Sequence, residues 1–90
     1  MAMSENTQKV FKYLQSNNEG LTAQEIADAI GLPVKTVNGA FTMGIAKKDY
    51  GYRSEEKVKV ELEDGTTIEG KQLFLTDAGL AADVDALAAE

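Results

Sequence analysis

Residues 22–48 read T-A-Q-E-I-A-D-A-I-G-L-P-V-K-T-V-N-G-A-F-T-M-G-I-A-K-K. Thr22 is followed three residues later by Glu25, the spacing of a capping box in which each side chain satisfies a backbone N–H that the first helical turn leaves unpaired. Leu21 and Ile26 take the N′ and N4 positions of a hydrophobic staple, so a helix is expected to begin at Thr22. It presents Ile26, Ala27 and Ile30 to one side and stops at Gly31, which tolerates the left-handed backbone of a sharp C-terminal turn. Pro33 suits the cap or first position of a second helix, along which Val34, Val37, Phe41 and Ile45 recur at helical spacing and are expected to face inward.

Ala27 is small where two crossing helices would approach closely, and Val37, six residues after Gly31, points back into their shared core. Cap, staple, small residue, turn glycine and inward valine together are the steric requirement of a helix-turn-helix. A bare αα-hairpin with a glycine turn is common and need only pack. The coincidence of all five features, and the segment that follows, favour the more specific motif.

Outward from this core, Thr7–Gln15 carries Val10, Phe11 and Leu14 on one face, and Asn17-Asn18-Glu19-Gly20 ends that helix in a turn. After Asp49 the period changes. Lys57-Val58-Lys59-Val60-Glu61-Leu62-Glu63 alternates polar and apolar residues as a strand with one buried face does, and Asp64-Gly65 signals a hairpin. A three-residue loop, Glu63, Asp64 and a left-handed Gly65, pairs Val60 with Ile68 on the core face; a two-residue loop would set Ile68 opposite Glu61 on the other face, so the three-residue loop is preferred. Thr76 or Asp77 then caps a last helix whose apolar stripe is Leu80, Val84 and Leu87. The expected architecture is one α+β domain over residues 1–90. Its helices lie near 7–16, 22–30, 33–47 and 77–89, with a hairpin within 50–75.

Composition narrows the function classes. The 90 residues contain neither cysteine nor histidine, which excludes disulfides, thiolate zinc sites, cysteine nucleophiles and the commonest general base. The acidic pairs Asp83/Asp85, Glu61/Glu63, Glu55-Glu56 and Glu63-Asp64 match neither a catalytic dyad nor a calcium loop, and the glycines are scattered singly rather than gathered into a phosphate-binding loop. No catalytic site, metal or cofactor is therefore expected. The opening M-A-M-S-E-N-T-Q lacks the basic and apolar regions of a signal peptide, and no apolar run approaches spanning length, so a cytoplasmic location is expected.

The net charge of −6 argues against nucleic-acid binding, which ordinarily shows a basic surplus. The distribution softens this. Residues 33–59 hold Lys35, Lys47, Lys48, Arg53, Lys57 and Lys59 against Asp49, Glu55 and Glu56, a local surplus of three positive charges, while the acidic excess lies after residue 60. Screening in cell-like salt acts over roughly 8 Å, so a distant acidic helix does not prevent a basic face from meeting phosphates.

The run G-L-T-A-Q-E-I-A-D-A-I-G-L-P-V-K-T-V-N-G-A-F, the A-K-K-D-Y after it, the hairpin and L-F-L-T-D-A-G resemble small MarR-like winged helix-turn-helix regulators of bacteria and their phages. The resemblance covers nearly the whole chain. It implies a three-helix core, a long β-hairpin wing and a C-terminal helix, with the third helix in the major groove of double-stranded DNA and the wing beside the backbone. Two features depart from that pattern. The wing tip, Glu63-Asp64-Gly65-Thr66-Thr67, is acidic where a wing that enters a minor groove usually carries arginine or lysine, so the tip is expected to stay off DNA. The chain also lacks the long flanking helices that build the dimer and ligand pocket of full MarR regulators.

With Val34, Val37, Phe41 and Ile45 inward, the opposite stripe of the third helix holds Lys35, Gly39, Thr42 and Ala46, flanked by Thr36, Asn38 and Met43. Lys35 and Asn38 suit base edges, since lysine pairs with guanine and asparagine with adenine. Thr36 and Thr42 suit phosphate or methyl contacts, and Gly39 permits a close backbone approach. Lys47, Lys48, Arg53 and Lys57 form the candidate phosphate set. Polar residues on a helix face are ordinarily just solvated, and Lys47 and Lys48 also suit a helix C-terminus. Gly39 fits the solvated reading less well, because glycine inside an exposed helix costs about 1 kcal/mol relative to alanine. Tyr50 and Tyr52 read as core or wing packing.

Two functions from different classes follow. One is sequence-specific binding of double-stranded DNA by a small transcriptional regulator, with a homodimer through the C-terminal helix on a pseudo-palindromic site. The other is an acidic winged helix that docks on a protein. The local basic surplus and V-K-T-V-N-G favour the first; net charge, acidic wing and scarcity of arginine favour the second.

Overall fold

The computed structural model describes residues 3–62 and 64–88. The first helix, α1, spans Glu5–Ser16 and starts two residues earlier than expected because Ser4 caps it: its hydroxyl accepts from the Thr7 N–H at 3.2 Å, and Glu5 adds an acid in the first turn. Val10, Phe11 and Leu14 are fully buried, as their spacing requires.

Thr22 is the cap of the next helix, α2 (Ala23–Ile30), and the capping box is complete. The Glu25 N–H donates to the Thr22 hydroxyl at 3.3 Å, and the Thr22 N–H donates to the Glu25 carboxylate at 3.0 Å. Gly31 adopts φ +71°, and its N–H and that of Leu32 both reach the Ala27 carbonyl, at 2.9 and 3.1 Å. The chain thus reverses in three residues into α3 (Val34–Gly44), with Pro33 at the cap. Ala27 and Val37 are buried between the helices as expected, together with Ile26 and Phe41.

Two details of α3 differ from the sequence reading. Val34 does not face the core; it is 37% exposed, because the first turn projects past the covering helices and borders a cleft toward the wing. The helix also ends at Gly44 rather than Lys47. Ile45 remains buried, but its carbonyl accepts from the N–H groups of both Lys48 and Tyr50, which winds Ala46–Lys48 into a 3-10 turn; Asp49 then takes a left-handed φ of +63° and the chain leaves as a strand.

The sheet contains a strand that the periodicity does not announce. Leu21–Thr22 forms a two-residue β1, and the order is β1-β3-β2, with β2 spanning Gly51–Glu61 and β3 spanning Thr67–Leu75. Val60 pairs with Ile68 and Glu61 with Thr67, the register of a three-residue loop, and Gly65 has φ +85°. Glu63, the loop's first residue, lies outside the described residues. Between Arg53 and Lys57 the register slips, so that two extra residues of β2 bulge out; the Gln72 N–H, which loses its ladder partner there, donates to the Ser54 hydroxyl at 2.9 Å.

The apolar face of the hairpin is less covered than its alternation suggested. Leu73 and Leu75, at the base of β3, are buried on one face, whereas Val58, Val60 and Ile68 alternate onto the opposite face from the one that Leu73 takes to the core and, like Leu62, are only half-buried. The expected helix over 77–89 is broken into α4 (Asp77–Ala81) and α5 (Val84–Ala88), and Ala89 lies outside the described residues. The cause is capping. The Asp83 carboxylate accepts from the Ala86 N–H at 3.1 Å and starts a new helix, while the Gln15 amide donates to the carbonyls of Gly79 and Ala82 at 3.1 and 2.8 Å and stabilises the end of the old one. Val84 then packs against α1 beside a Lys12–Asp85 ion pair of 2.6 Å, and Leu80 is left 42% exposed.

Candidate nucleic-acid interface

Burial of Val37 and Phe41 turns the opposite side of α3 outward. Lys35, Asn38, Gly39 and Thr42 are exposed on it; Thr36, expected beside them, is half-buried. An ideal Cβ built on Gly39 meets no atom within 4 Å, so packing within the chain does not account for this glycine. Pro33 supplies no side-chain cap, and the first α-helical bond runs from the Val37 N–H to the Pro33 carbonyl at 3.1 Å. The N–H groups of Lys35 and Thr36 therefore have no partner among the described residues at the positive end of the helix, next to the Lys35 ammonium, which favours an anion there.

The wing root joins this surface through Arg53. Its guanidinium donates to the Thr42 hydroxyl at 2.8 Å and, at a longer 3.4 Å, to both the backbone carbonyl and the side-chain oxygen of Asn38. The same group lies 5.0 Å from the centre of the Phe41 ring, within the range of a cation–π contact. Burial holds its pKa below the ordinary arginine value, which still leaves it a cation at neutral pH. The β2 bulge begins directly after Arg53, so the strand can turn this side chain back to α3 while the residues beyond it follow the wing outward.

Farther out the wing carries a residue that the sequence reading missed. Lys71 pairs directly with Lys57 across the hairpin, and both are exposed. Residues two apart share a face of a strand, so Lys71 continues the side of β3 that carries Leu73, the pairing partner of Arg53. Arg53, Lys57 and Lys71 thus make a basic root. Two like charges directly opposed cost stability unless a counter-charge is supplied. The signal was present in the sequence, because the register that pairs Val60 with Ile68 also pairs Lys57 with Lys71. Toward the tip the charge reverses through Lys59 and Glu69, 3.9 Å apart, to Glu61 and Asp64.

Between α2, α3 and the wing root lies an open cleft of about 360 Å³ lined by Thr22, Gln24, Val34, Asn38, Arg53 and Lys71, among others. Lys47 and Lys48 are exposed but stand apart from it. They flank a second concavity at the other end of α3, with Met43, Met3 and Thr7. The nine candidate residues therefore fall into three places: the outer face of α3, the wing root, and the turn after α3. Tyr50 and Tyr52 are packing residues: Tyr50 lies against Phe11 with ring centres 5.5 Å apart, and Tyr52 stacks on Phe74 at 5.4 Å. No described helix is long and apolar enough to cross a membrane.

Comparison with known proteins agrees with this arrangement. A family model described as winged helix-turn-helix DNA-binding matches residues 3–40, which include α1, α2 and the first half of α3. No curated protein sequence matches the chain. Among solved structures, the chain is similar to the crystal structure of MepR, a transcription regulator of the Staphylococcus aureus multidrug efflux pump MepA. The TM-score is 0.67 at 22% identity, over 97% of this chain and 56% of that one. The chain thus spans little more than half the length of that regulator, and the likeness is one of fold. With its capped helix-turn-helix, three-stranded sheet and hairpin wing, the chain has a winged helix-turn-helix fold.

Proposed function

We propose that this protein binds double-stranded DNA in a sequence-specific manner, as a small transcriptional regulator that inserts α3 into the major groove. The observation that carries this reading is the outer face of α3: an exposed row of Lys35, Asn38 and Thr42 around a glycine with open space above it, continuous with the basic wing root. A row of this kind offers hydrogen-bonding side chains to base edges and lets backbone come close, while Lys57 and Lys71 meet the phosphates that flank the groove. Lys47 and Lys48 supply a second phosphate contact at the far end of the helix. The acidic wing tip points beyond the duplex backbone. Two copies joined through the C-terminal segment, where Leu80 is exposed, set two α3 helices on successive major grooves about 34 Å apart.

Selection of bound sequences from a random duplex pool tests the reading. Recovery of an enriched motif with partial two-fold symmetry is the expected result. Recovery of no enriched motif overturns it and favours the protein-docking alternative raised by the net charge.

A further inference from the structure

We propose that Arg53 serves base discrimination as a positioning residue, holding Asn38 and Thr42 of α3 in their reading geometry, and does not serve as a phosphate contact. The inference rests on the DNA-binding reading above and assigns a role within that same site. Its sequence neighbours made Arg53 one of four interchangeable cations. The structure separates it from the other three: Lys47, Lys48 and Lys57 are exposed, whereas Arg53 is half-buried.

One terminal nitrogen of Arg53 serves three oxygens of α3, with the short bond on the Thr42 hydroxyl and the two longer ones on Asn38. Asn38 and Thr42 are four residues apart and so sit one above the other on the same helix face, the spacing a single guanidinium can bridge. Its central carbon lies 5.0 Å from the ring centre of Phe41, which is fully buried and anchors α3 in the core. The cation is therefore seated against the rigid part of the fold. A donor at the Asn38 side-chain oxygen also fixes which way the amide faces, since only the oxygen accepts. Ordering a free, rotamer-rich side chain at an interface costs binding free energy, and a side chain already held in place loses less on binding. Lysine cannot replace this arrangement, because it lacks the planar fork and stacks poorly on an aromatic ring, although it keeps the charge.

Arg53→Lys therefore separates the two roles. We expect the ratio of affinities for the selected site and for random duplex to fall about tenfold, the scale of one well-made base contact. The log–log salt slope should stay at the parent value, because the number of cations is unchanged. Arg53→Gln should show the same loss of ratio with no loss of slope, whereas a phosphate contact would lose about 0.9 of slope magnitude. Thr42→Val removes the acceptor of the short bond and should lower the ratio in the parent but not further in Arg53→Lys, as expected of residues acting through one contact. Thr42→Ser, which keeps the hydroxyl, should retain the parent ratio. In the DNA-free protein, the Asn38 side-chain NH2 resonances should shift on Arg53→Lys while the amide spectrum of Val10, Phe11 and Ile26 is preserved, which shows that the core is folded. An unchanged specific-to-random ratio in Arg53→Lys, or a slope reduced by about 0.9 in Arg53→Gln, overturns the proposal and leaves the DNA-binding reading intact. A parent protein that enriches no sequence overturns that reading and this inference with it.

Discussion

Gly44, the last residue of α3, lies directly against Thr7 of α1, so closely that a Cβ at position 44 would overlap the threonine methyl. Thr7 cannot easily yield. It is buried, β-branched, and hydrogen-bonded through its hydroxyl to Ser4 at 2.8 Å. This contact sets how near α1 comes to α3, and so the angle at which α3 leaves the core. Gly44→Ala is expected to destabilise the fold by about 1–3 kcal/mol through overpacking. Gly39→Ala should do the opposite. Position 39 is helical with open space around it, and alanine there should stabilise by about 0.5–1 kcal/mol. Chemical denaturation of both variants checks the pair. Gly39→Ala should also weaken binding to a selected duplex, since its methyl stands where backbone and groove approach.

Phe41 is fully buried on the inner side of α3 and carries Arg53 above its ring. Its truncation to alanine should cost roughly 3–5 kcal/mol, the range for a large aromatic removed from a core. A near-neutral shift in the denaturation midpoint would mean that the face of α3 turned inward is a different one.

The wing tip makes a pH prediction. The Asp64 carboxylate accepts from the Thr66 N–H at 2.9 Å, and that bond, followed by the one from the Thr66 side chain, holds its pKa below the ordinary aspartate value of about 3.9. A carboxylate with a depressed pKa stabilises the folded turn above its unfolded value and loses that contribution as pH falls through the folded one. In an NMR titration the Thr66 amide should move with Asp64, at a midpoint below the usual aspartate range. Asp64→Ala should remove the transition.

Assembly is checked by sedimentation equilibrium. With Val84 already committed to α1, only Leu80 and the partly covered Leu87 remain of the C-terminal stripe. A small apolar contact of this kind predicts a weak dimer in free solution that DNA with two half-sites strengthens. A monomer at high micromolar concentration, on DNA as well as free, contradicts the dimer.

Local chemistry made much of this fold legible. The Thr22–Glu25 capping box, the left-handed Gly31, the Ala27 and Val37 packing pair and the three-residue wing loop each depend on residues a few positions apart, and the sequence displays those directly. Features that depend on distant partners were not legible. β1 is only two residues long and exists because Leu21 and Thr22 meet Leu73 and Gln72. The break after Ala81 needs Gln15, far away on α1, as well as Asp83. At the candidate site the exposed face of α3 followed from helical period, apart from Val34 and Thr36, whose covering is set by where neighbouring elements end. The grouping of Arg53 with Asn38 and Thr42 did not follow, because it depends on a bulge in β2 that no residue pattern marks.

The central claim is that α3 reads bases, and Asn38→Ala against Lys57→Ala tests it most directly. Affinities of both variants should be measured for a selected site and for random duplex at several salt concentrations. Asn38→Ala should lower the specific-to-random ratio by about 1–3 kcal/mol equivalent and relax preference at one base pair, with the salt slope unchanged. Lys57→Ala should weaken both duplexes about equally and reduce the slope magnitude by about 0.9. A ratio that survives Asn38→Ala, together with a random-duplex affinity untouched by Lys57→Ala, would contradict the account.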